Sequence, residues 1–353
     1  MSLQEDVQRQ EPLVEAIQRL VSGESIGQEG ARQAMEVVMR GWATQAQIGA
    51  FMVALRMKGE TPQEVAGCAE AMRAQATPLP HHRQDAVDTC GTGGDGGRTF
   101  NVSTAAAFVV AGAGAPVAKH GNRAVSGRSG SADVLEAMGI RVDLPVQQST
   151  TLLDNTGIAF LFAPVYHAAM RFAAPVRQQL AMRSVFNLLG PLTNPARTAY
   201  QLVGVYDASL LSVVAEALGR LGVQRTLVVH SRDGLDEVSI SAPTDAVLYD
   251  RGQMESLVIE PQMLGLTPAP LQRVAGGTAY ENAQLIGAVL RGVEGPSRAI
   301  VIANAGTALF AADKAASLKE GCRLAEAAID SGAAFAKLEA LRQAAQQEVS
   351  RVS

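Results

Sequence analysis

Between Pro12 and about Ala76 the apolar residues recur at helical spacing in four segments: Leu13 to Leu20, Ala31 to Met39, Ala46 to Met57 and Val65 to Met72. The spacing predicts a small helical domain over residues 1–77. Thr61 before Pro62, with Glu64 just after, reads as the N-cap and first turn of the fourth helix. Pro78 to His82 reads as the linker behind it. Short β-prone runs then alternate with helices: Ala86 to Cys90, Pro116 to Lys119, Ala159 to Pro164, Gln201 to Tyr206, Arg225 to His230 and Arg298 to Ala303. Such alternation implies βαβ crossovers and a larger α/β domain over residues 80–353 with a mostly parallel central sheet. Phe172 to Leu189 interrupts the alternation; it reads as helical until Gly190 and Pro191 stop it, and helices from about 170–190 are expected to join the N-terminal helices. Val238 to Ser241 and Ala246 to Asp250 read as further strands, followed by a loop-rich insertion to Pro270.

Composition narrows the class. With 47% hydrophobic and 18% charged residues in 353, the chain can bury a large core. A net charge of −4 gives no bulk attraction to nucleic acid or to an anionic membrane, so any polyanion must be held by a local cluster. Cys68, Cys90 and Cys322 have neither CxxC spacing nor an even framework, which fits a reduced, cytoplasmic setting. Met1 to Pro12 has no apolar signal core, no apolar run reaches membrane-helix length, and the five histidines show no zinc-like spacing.

The chemistry begins at GTGGDGG, Gly91 to Gly97, between a predicted strand and an Ala/Val-rich helix opened by Asn101, Val102, Ser103 and Thr104. Glycines bring backbone N–H groups close to a ligand, and a helix N-terminus adds free amides and partial positive charge. The expected ligand is a phosphate. Gly91, Gly93 and Gly96 satisfy GxGxxG, but a Rossmann turn wants an acid about 20 residues on, and no Asp or Glu occurs between Asp95 and Asp133. No GK[ST] follows, which excludes a Walker A loop.

A second loop runs Lys119, His120, Gly121, Asn122, Arg123, Ala124, Val125, Ser126, Gly127, Arg128, Ser129, Gly130, Ser131 into the predicted helix Ala132 to Met138. Loops after strand C-termini line the ligand crevice of an open parallel sheet, so both loops should face one cationic, amide-rich space. Asp236 and Glu237, in DGLDE after the strand ending at His230, are a fair hard-cation pair, since Mg²⁺ takes one or two carboxylates plus substrate phosphate oxygens. Arg177 and Arg183 lie six positions apart in one helical segment, a spacing that does not put both on one face. His167 follows the strand Ala159 to Pro164 and is a candidate for the same crevice.

In this order GTGGDGGRTFNVSTAAAF, KHGNRAVSGRSGSADVLEAMG, APVR, NLLGPLTNP and DGLDE resemble the anthranilate phosphoribosyltransferases of tryptophan biosynthesis, over nearly the whole chain. The resemblance implies a cytoplasmic homodimer of the nucleoside phosphorylase/phosphoribosyltransferase class II architecture that joins 5-phosphoribosyl 1-diphosphate to anthranilate, without nucleic-acid or membrane partners. It implies that Gly91, Gly94, Asp95, Thr99, Asn101 to Thr104, Lys119 to Gly127 and Ser131 contact the sugar diphosphate. It further implies Ser103, Asp236 and Glu237 as ligands of two Mg²⁺ ions, and Gly91, Asn122 and Arg177 as anthranilate contacts, with Lys119 and Arg177 carrying the chemistry. Two departures are visible: Cys90 stands where an aliphatic residue is usual, and Ala168 replaces the proline of an HPAM segment. The related pyrimidine nucleoside phosphorylases would use phosphate without magnesium and diphosphate; Asp236, Glu237 and the KHGNR loop count against that alternative.

Overall fold

The structure, a computed structural model, describes residues 3–94, 97–124 and 129–347. Helices α1 (Leu3–Val21), α2 (Gly27–Met39), α3 (Gln45–Lys58) and α4 (Pro62–Gln75) form the N-terminal layer, with the first helix starting well before the expected Leu13. Thr44 and Thr61 close capping boxes with Gln47 and Glu64, each worth about 1 kcal/mol. Glu64 does more than cap. Fully buried, its carboxylate also accepts Ile26 N–H at 3.1 Å and pairs with Lys58 at 2.8 Å, fastening the start of α2 to α4.

The chain then alternates: β1 (Val87–Asp88), α5 (Val102–Gly112), β2 (Val117–Gly121), α6 (Ser131–Ala137), α7 (Val146–Thr156), β3 (Ile158–Phe162), α8 (Ala163–Tyr166), α9 (Ala174–Leu180), α10 (Phe186–Leu192), β4 (Tyr200–Gly204), α11 (Leu211–Arg220), β5 (Arg225–Ser231), β6 (Thr244–Asp250) and β7 (Gln253–Ile259). Four helices close it: α12 (Ala279–Leu290), α13 (Pro296–Ala311), α14 (Leu318–Asp330) and α15 (Ala333–Gln347). Among the described residues one seven-stranded sheet has the order β3-β2-β1-β4-β5-β6-β7, parallel from β3 to β5 and antiparallel beyond. The period of two along its strands separates two cores. Leu202, Leu227, Val229 and Ala246 face α5 and α13, whereas Val203, Val205, Val228 and Val247 face α11 and the helical layer. Helices α9 and α10 pack on α3 and α4 in that second core.

Four expectations require correction. Arg298 to Ala303 lies inside α13, because Gly295 and Pro296 start a helix whose Ile300, Val301, Ile302 and Ala303 are all buried; an apolar run with no polar face reads alike as strand or buried helix. Val238 to Ser241 makes no ladder: the Asn304 side chain takes the Val238 N–H and donates to its carbonyl, doing locally what a neighbouring strand would do. The loop-rich insertion begins instead with strand β7, turned back on β6 by Arg251 and Gly252, both at positive φ (46° and 97°), as a two-residue hairpin requires. The segment through Arg177 is not one helix ending at Gly190. It breaks at Ala181 (φ 47°), and α10 carries Pro191 in its last turn.

Candidate active site

Beyond β1 the chain runs through β2 to β3, then returns to the other side of β1 for β4 and β5. The order therefore reverses beside β1, and the loops leaving the C-terminal ends of β1, β2, β4 and β5 border the crevice that such a switch point opens.

The glycine loop is seated from the β4 side. Thr92 N–H donates to Gly204 O at 2.8 Å, Tyr206 N–H donates to Thr92 Oγ1 at 3.1 Å, and Gly93 N–H donates to Asp236 Oδ2 at 2.7 Å. Gly91 is required by close approach: a Cβ there would lie 2.8 Å from Asp236 Oδ2. Gly94, at φ 95°, offers its carbonyl to Arg183 at 2.6 Å, and the Arg183 guanidinium stacks 4.1 Å above the Tyr206 ring. Asp95 lies outside the described residues, as do Val125, Ser126 and Gly127.

Lys119 closes the loop from β2. It is buried, and Nζ donates to Thr89 O at 3.1 Å and Ser103 Oγ at 3.3 Å, so one cation bridges the end of β1 and the first turn of α5. Beneath it, fully buried Asp88 accepts His120 N–H at 3.2 Å and the Asn194 amide at 2.7 Å. Burial pushes the Asp88 carboxyl up to about 6, partly offset by the Lys119 charge and these hydrogen bonds. Asn194 also donates to Ala118 O at 2.8 Å, which ties α10 to the β1–β2 floor.

The loop after β2 is tied to α6. Asn122 O accepts Ser131 Oγ and Ala132 N–H, both at 3.2 Å, and Asp133 accepts Ala124 and Gly130 N–H at 2.9 Å. A Cβ at Gly121 would sit 2.3 Å from Ser131 Oγ. Arg123 is engaged along α6 by Asp133 (3.2 Å) and Glu136 (2.5 Å) and lies over Phe162. Thr99 and Asn101 to Thr104 stand at the start of α5, where Asn101 donates to Ser129 O at 3.0 Å.

Asp236 and Glu237 stand in the turn after β5. Its shape is held by Asp233, whose carboxylate accepts Ser239 at 2.7 Å and Ser241, and whose carbonyl accepts Arg98 at 2.9 Å. Asp236 is only 8% exposed and its carboxylate lies against the glycine loop at Gly91 and Gly93. Adjacent carboxylates at the rim of a phosphate loop are the hard-oxygen donors that Mg²⁺ takes together with substrate oxygens, so these residues fit that ion. Among the described residues no cluster of three or more His, Cys, Asp or Glu offers a metal site made by protein alone.

Arg177 is half-buried on α9 with its guanidinium 5.4 Å from the centre of the Phe186 ring; burial holds its pKa below the usual arginine value. Among the described residues its side chain makes no hydrogen bond or ion pair. A half-buried cation without an anion is costly and calls for a ligand anion.

The sequence reading missed Asp88, Asn194 and Tyr206, which touch the named residues from the floor and wall. Their signal was faint, because a buried Asp in a two-residue strand and an Asn after a Leu-Thr pair look like ordinary loop chemistry until the fold brings them together.

His120 and His167 also meet here, with ring centroids 5.2 Å apart and both buried. His120 donates through Nδ1–H to Gly190 O at 3.0 Å. Burial, and for His120 the neighbouring His167, pushes them down to about 3 and about 4. Unfolded histidines take up protons near 6.5, so between that value and about 4 the unfolded chain binds more protons and stability falls as pH falls. Asp88 has the opposite sign: its raised folded value means stability rises as pH falls from 6 towards 3.8. Two rings outweigh one carboxyl. From pH 7 to 5 a net loss of about 2 kcal/mol is expected from these groups, read by urea unfolding. Replacing both rings (His120→Gln, His167→Gln) leaves Asp88 and should reverse that slope, so that stability rises slightly from pH 7 to 5, and an unchanged slope would contradict the assignment.

Comparison with known proteins adds to this geometry. Residues 14–76 match the glycosyl transferase family helical bundle domain and residues 83–335 the a/b domain of that family. An anthranilate phosphoribosyltransferase from Moorella thermoacetica is 54% identical over 325 residues, 92% of this chain and 96% of that protein. The crystal structure of the anthranilate phosphoribosyltransferase from Thermus thermophilus superposes with a TM-score of 0.89 at 42% identity, covering 94% of this chain and 99% of that one. The Saccharomyces cerevisiae enzyme, in complex with PRPP and Mg, gives a TM-score of 0.86 at 27% identity over 95% and 98% of the chains.

Proposed function

Because this chain belongs to the anthranilate phosphoribosyltransferase family, we infer that the crevice beside β1 holds both partners of that reaction. The 5-phosphoribosyl group passes from 5-phosphoribosyl 1-diphosphate to the amino group of anthranilate, releasing diphosphate, in tryptophan biosynthesis. The observation that supports this reading most is the pairing of two unequal anion receptors: an amide-rich glycine loop backed by Lys119, and the single half-buried guanidinium of Arg177. The first suits a multiply charged diphosphate. The second suits one carboxylate.

Breaking the anomeric bond leaves an oxocarbenium-like sugar and a diphosphate, so the barrier is chiefly electrostatic. Lys119 would add charge to the leaving group, with the amides of Gly91 and Gly94 and of the α5 N-terminus beside it, those of Thr92 and Gly93 being taken by Gly204 O and Asp236 Oδ2. At an effective dielectric of 20, one unit charge at 4 Å is worth about 4 kcal/mol. Asp236 and Glu237, with Ser103 as a further oxygen donor, would hold Mg²⁺, two ions in the fuller reading. Bound Mg²⁺ supplies Lewis-acid charge neutralisation at the diphosphate oxygens. No strong base is needed at the acceptor: an aniline nitrogen is already nucleophilic and its proton leaves after attack. Arg177 would take the anthranilate carboxylate as a bidentate pair and present the amine, contributing alignment, with Asn122 and Gly91 beside it. Six residues on, Arg183 anchors the same segment to Gly94 O.

The test is anthranilate consumption followed by fluorescence with 5-phosphoribosyl 1-diphosphate, with and without Mg²⁺, in wild type and Arg177→Ala. Metal-dependent turnover is expected, with kcat/KM for anthranilate about 100-fold lower in the variant, the loss of a charge-assisted pair of roughly 2–3 kcal/mol. KM for the sugar diphosphate should stay within about twofold. Equal losses for both substrates would remove Arg177 from the carboxylate role, and absence of turnover in folded protein would overturn the reading.

A further inference from the structure

Asn282 lies on α12, 181 residues from the nearest motif residue it touches, and the chemistry described so far makes no use of it. It is 3% exposed, and both polar atoms of its amide are engaged. Its Oδ1 accepts Gly277 N–H at 2.7 Å, and its Nδ2 donates to Asn101 Oδ1 at 2.9 Å. Asn101 in turn donates through Nδ2 to Ser129 O at 3.0 Å. The four groups form one directional chain from Gly277 through Asn282 and Asn101 to Ser129. Each link fixes the next, because an amide that must accept on one side can only donate on the other.

The surrounding backbone holds α12 to this task. Val274 O accepts Phe100 N–H at 3.3 Å, and Gly276 approaches so closely that a Cβ would lie 2.4 Å from Thr99 O. The capping box of Thr278 and Glu281 starts the helix at Ala279, three residues before Asn282, and α12 packs on both α5 and α6. Those are the two helices whose N-termini follow the sugar-diphosphate loops.

We propose that Asn282 is a positioning residue for the sugar-diphosphate site: it sets the orientation of the Asn101 amide, and through it couples the start of α5 to the loop before α6. The proposal rests on the reading that Thr99 to Thr104 grip the sugar diphosphate. Asn282→Asp is the discriminating change. A carboxylate still accepts Gly277 N–H but cannot donate to Asn101, whose amide must turn to donate towards residue 282. Its oxygen then opposes Ser129 O, and the tie between the loops becomes a repulsion.

The experiment is calorimetric titration of 5-phosphoribosyl 1-diphosphate with Mg²⁺ into Asn282→Asp, Asn101→Ala and the double variant, with both KM values and the melting temperature. Expected is a dissociation constant raised about tenfold in Asn282→Asp, an anthranilate KM within twofold of wild type, and a double variant no weaker than Asn101→Ala alone. A lowered melting temperature with unchanged sugar-diphosphate affinity, or additive losses in the double variant, would reduce Asn282 to a packing residue and overturn the proposal. Asn101→Ala with unaltered affinity would instead sink the reading of Thr99 to Thr104, and the proposal with it. Should Asn282→Asp not fold, Asn282→Thr, which can make one of the two bonds but not both, carries the same test with an expected loss of about fivefold.

Discussion

Replacing Asp236 by Asn and Glu237 by Gln together is expected to lower kcat about 10³-fold, roughly 4 kcal/mol of transition-state stabilisation, and to shift the Mg²⁺ concentration for half-maximal rate upward. The amide at 236 can still accept Gly93 N–H, the bond that Asp236 makes at 2.7 Å, so the glycine loop keeps its seat. What is lost is charge. On the proposed reading the two carboxylates are the hard donors for the ion, and neutral amides hold Mg²⁺ poorly because they bring no charge to offset its dehydration. A Mg²⁺ titration in the presence of diphosphate, without turnover, gives an independent reading: weaker metal uptake is expected. A kcat within tenfold of wild type and an unmoved Mg²⁺ dependence would take the pair out of the metal site.

Why these residues were legible from sequence, and others not, follows from how each is made. GTGGDGG declares itself because five glycines in seven positions cost conformational entropy that only close backbone approach repays; the structure shows the approach at Gly91 and the positive φ at Gly93 and Gly94. Capping at Thr61 was legible for the same local reason, since its partners lie three residues away. Strand β7 was not legible. It is an edge strand with most side chains exposed, so no hydrophobic alternation marks it, and its turn, Arg251-Gly252, lacks the Asn or Asp that signals such hairpins. The helix α13 failed in the opposite direction, being buried on every side.

The same distinction divides the site. Arg177 could be named as a cation in a helix, but that no protein anion meets it among the described residues is a property of the folded surroundings. Asp88, Asn194 and Asn282 act over sequence separations of 32 to 181 residues, and nothing local in their segments foretells a partner. Even the break at Ala181 matters here. It separates Arg177 from Arg183, letting one guanidinium stack on Tyr206 and bind Gly94 O while the other lies over Phe186 without a hydrogen bond or ion pair among the described residues.

Lys119→Met is expected to have the largest effect, because that one ammonium holds the end of β1 to α5 and, on the proposed reading, also serves the chemistry. Removing it withdraws a unit charge from the leaving group's side of the site, about 4 kcal/mol at 4 Å and an effective dielectric of 20, and kcat/KM should fall at least 10³-fold. It also leaves Asp88 buried with no cation to offset it beyond hydrogen bonds from Asn194 and the His120 and Thr89 N–H groups. Lys119 offsets the Asp88 charge without a direct ion pair, so its removal costs less than the about 3–5 kcal/mol of breaking a buried pair, and Asp88, which titrates at about 6 even with Lys119 nearby, can escape by taking up a proton. In the variant its folded pKa rises further while its unfolded value does not, so the destabilisation is full above that raised value and fades as pH falls below it. A loss of about 2–3 kcal/mol at pH 7.5 that shrinks by pH 5.5 is expected from urea unfolding. Adding Asp88→Asn to Lys119→Met separates the two roles, since the amide can still accept His120 N–H without a charge to bury. The double variant should regain most of the lost stability at pH 7.5 and none of the activity. If activity returned with stability, the ammonium would be a structural counter-ion for Asp88 and the electrostatic load on the leaving group would fall to the backbone amides and the nearby arginines.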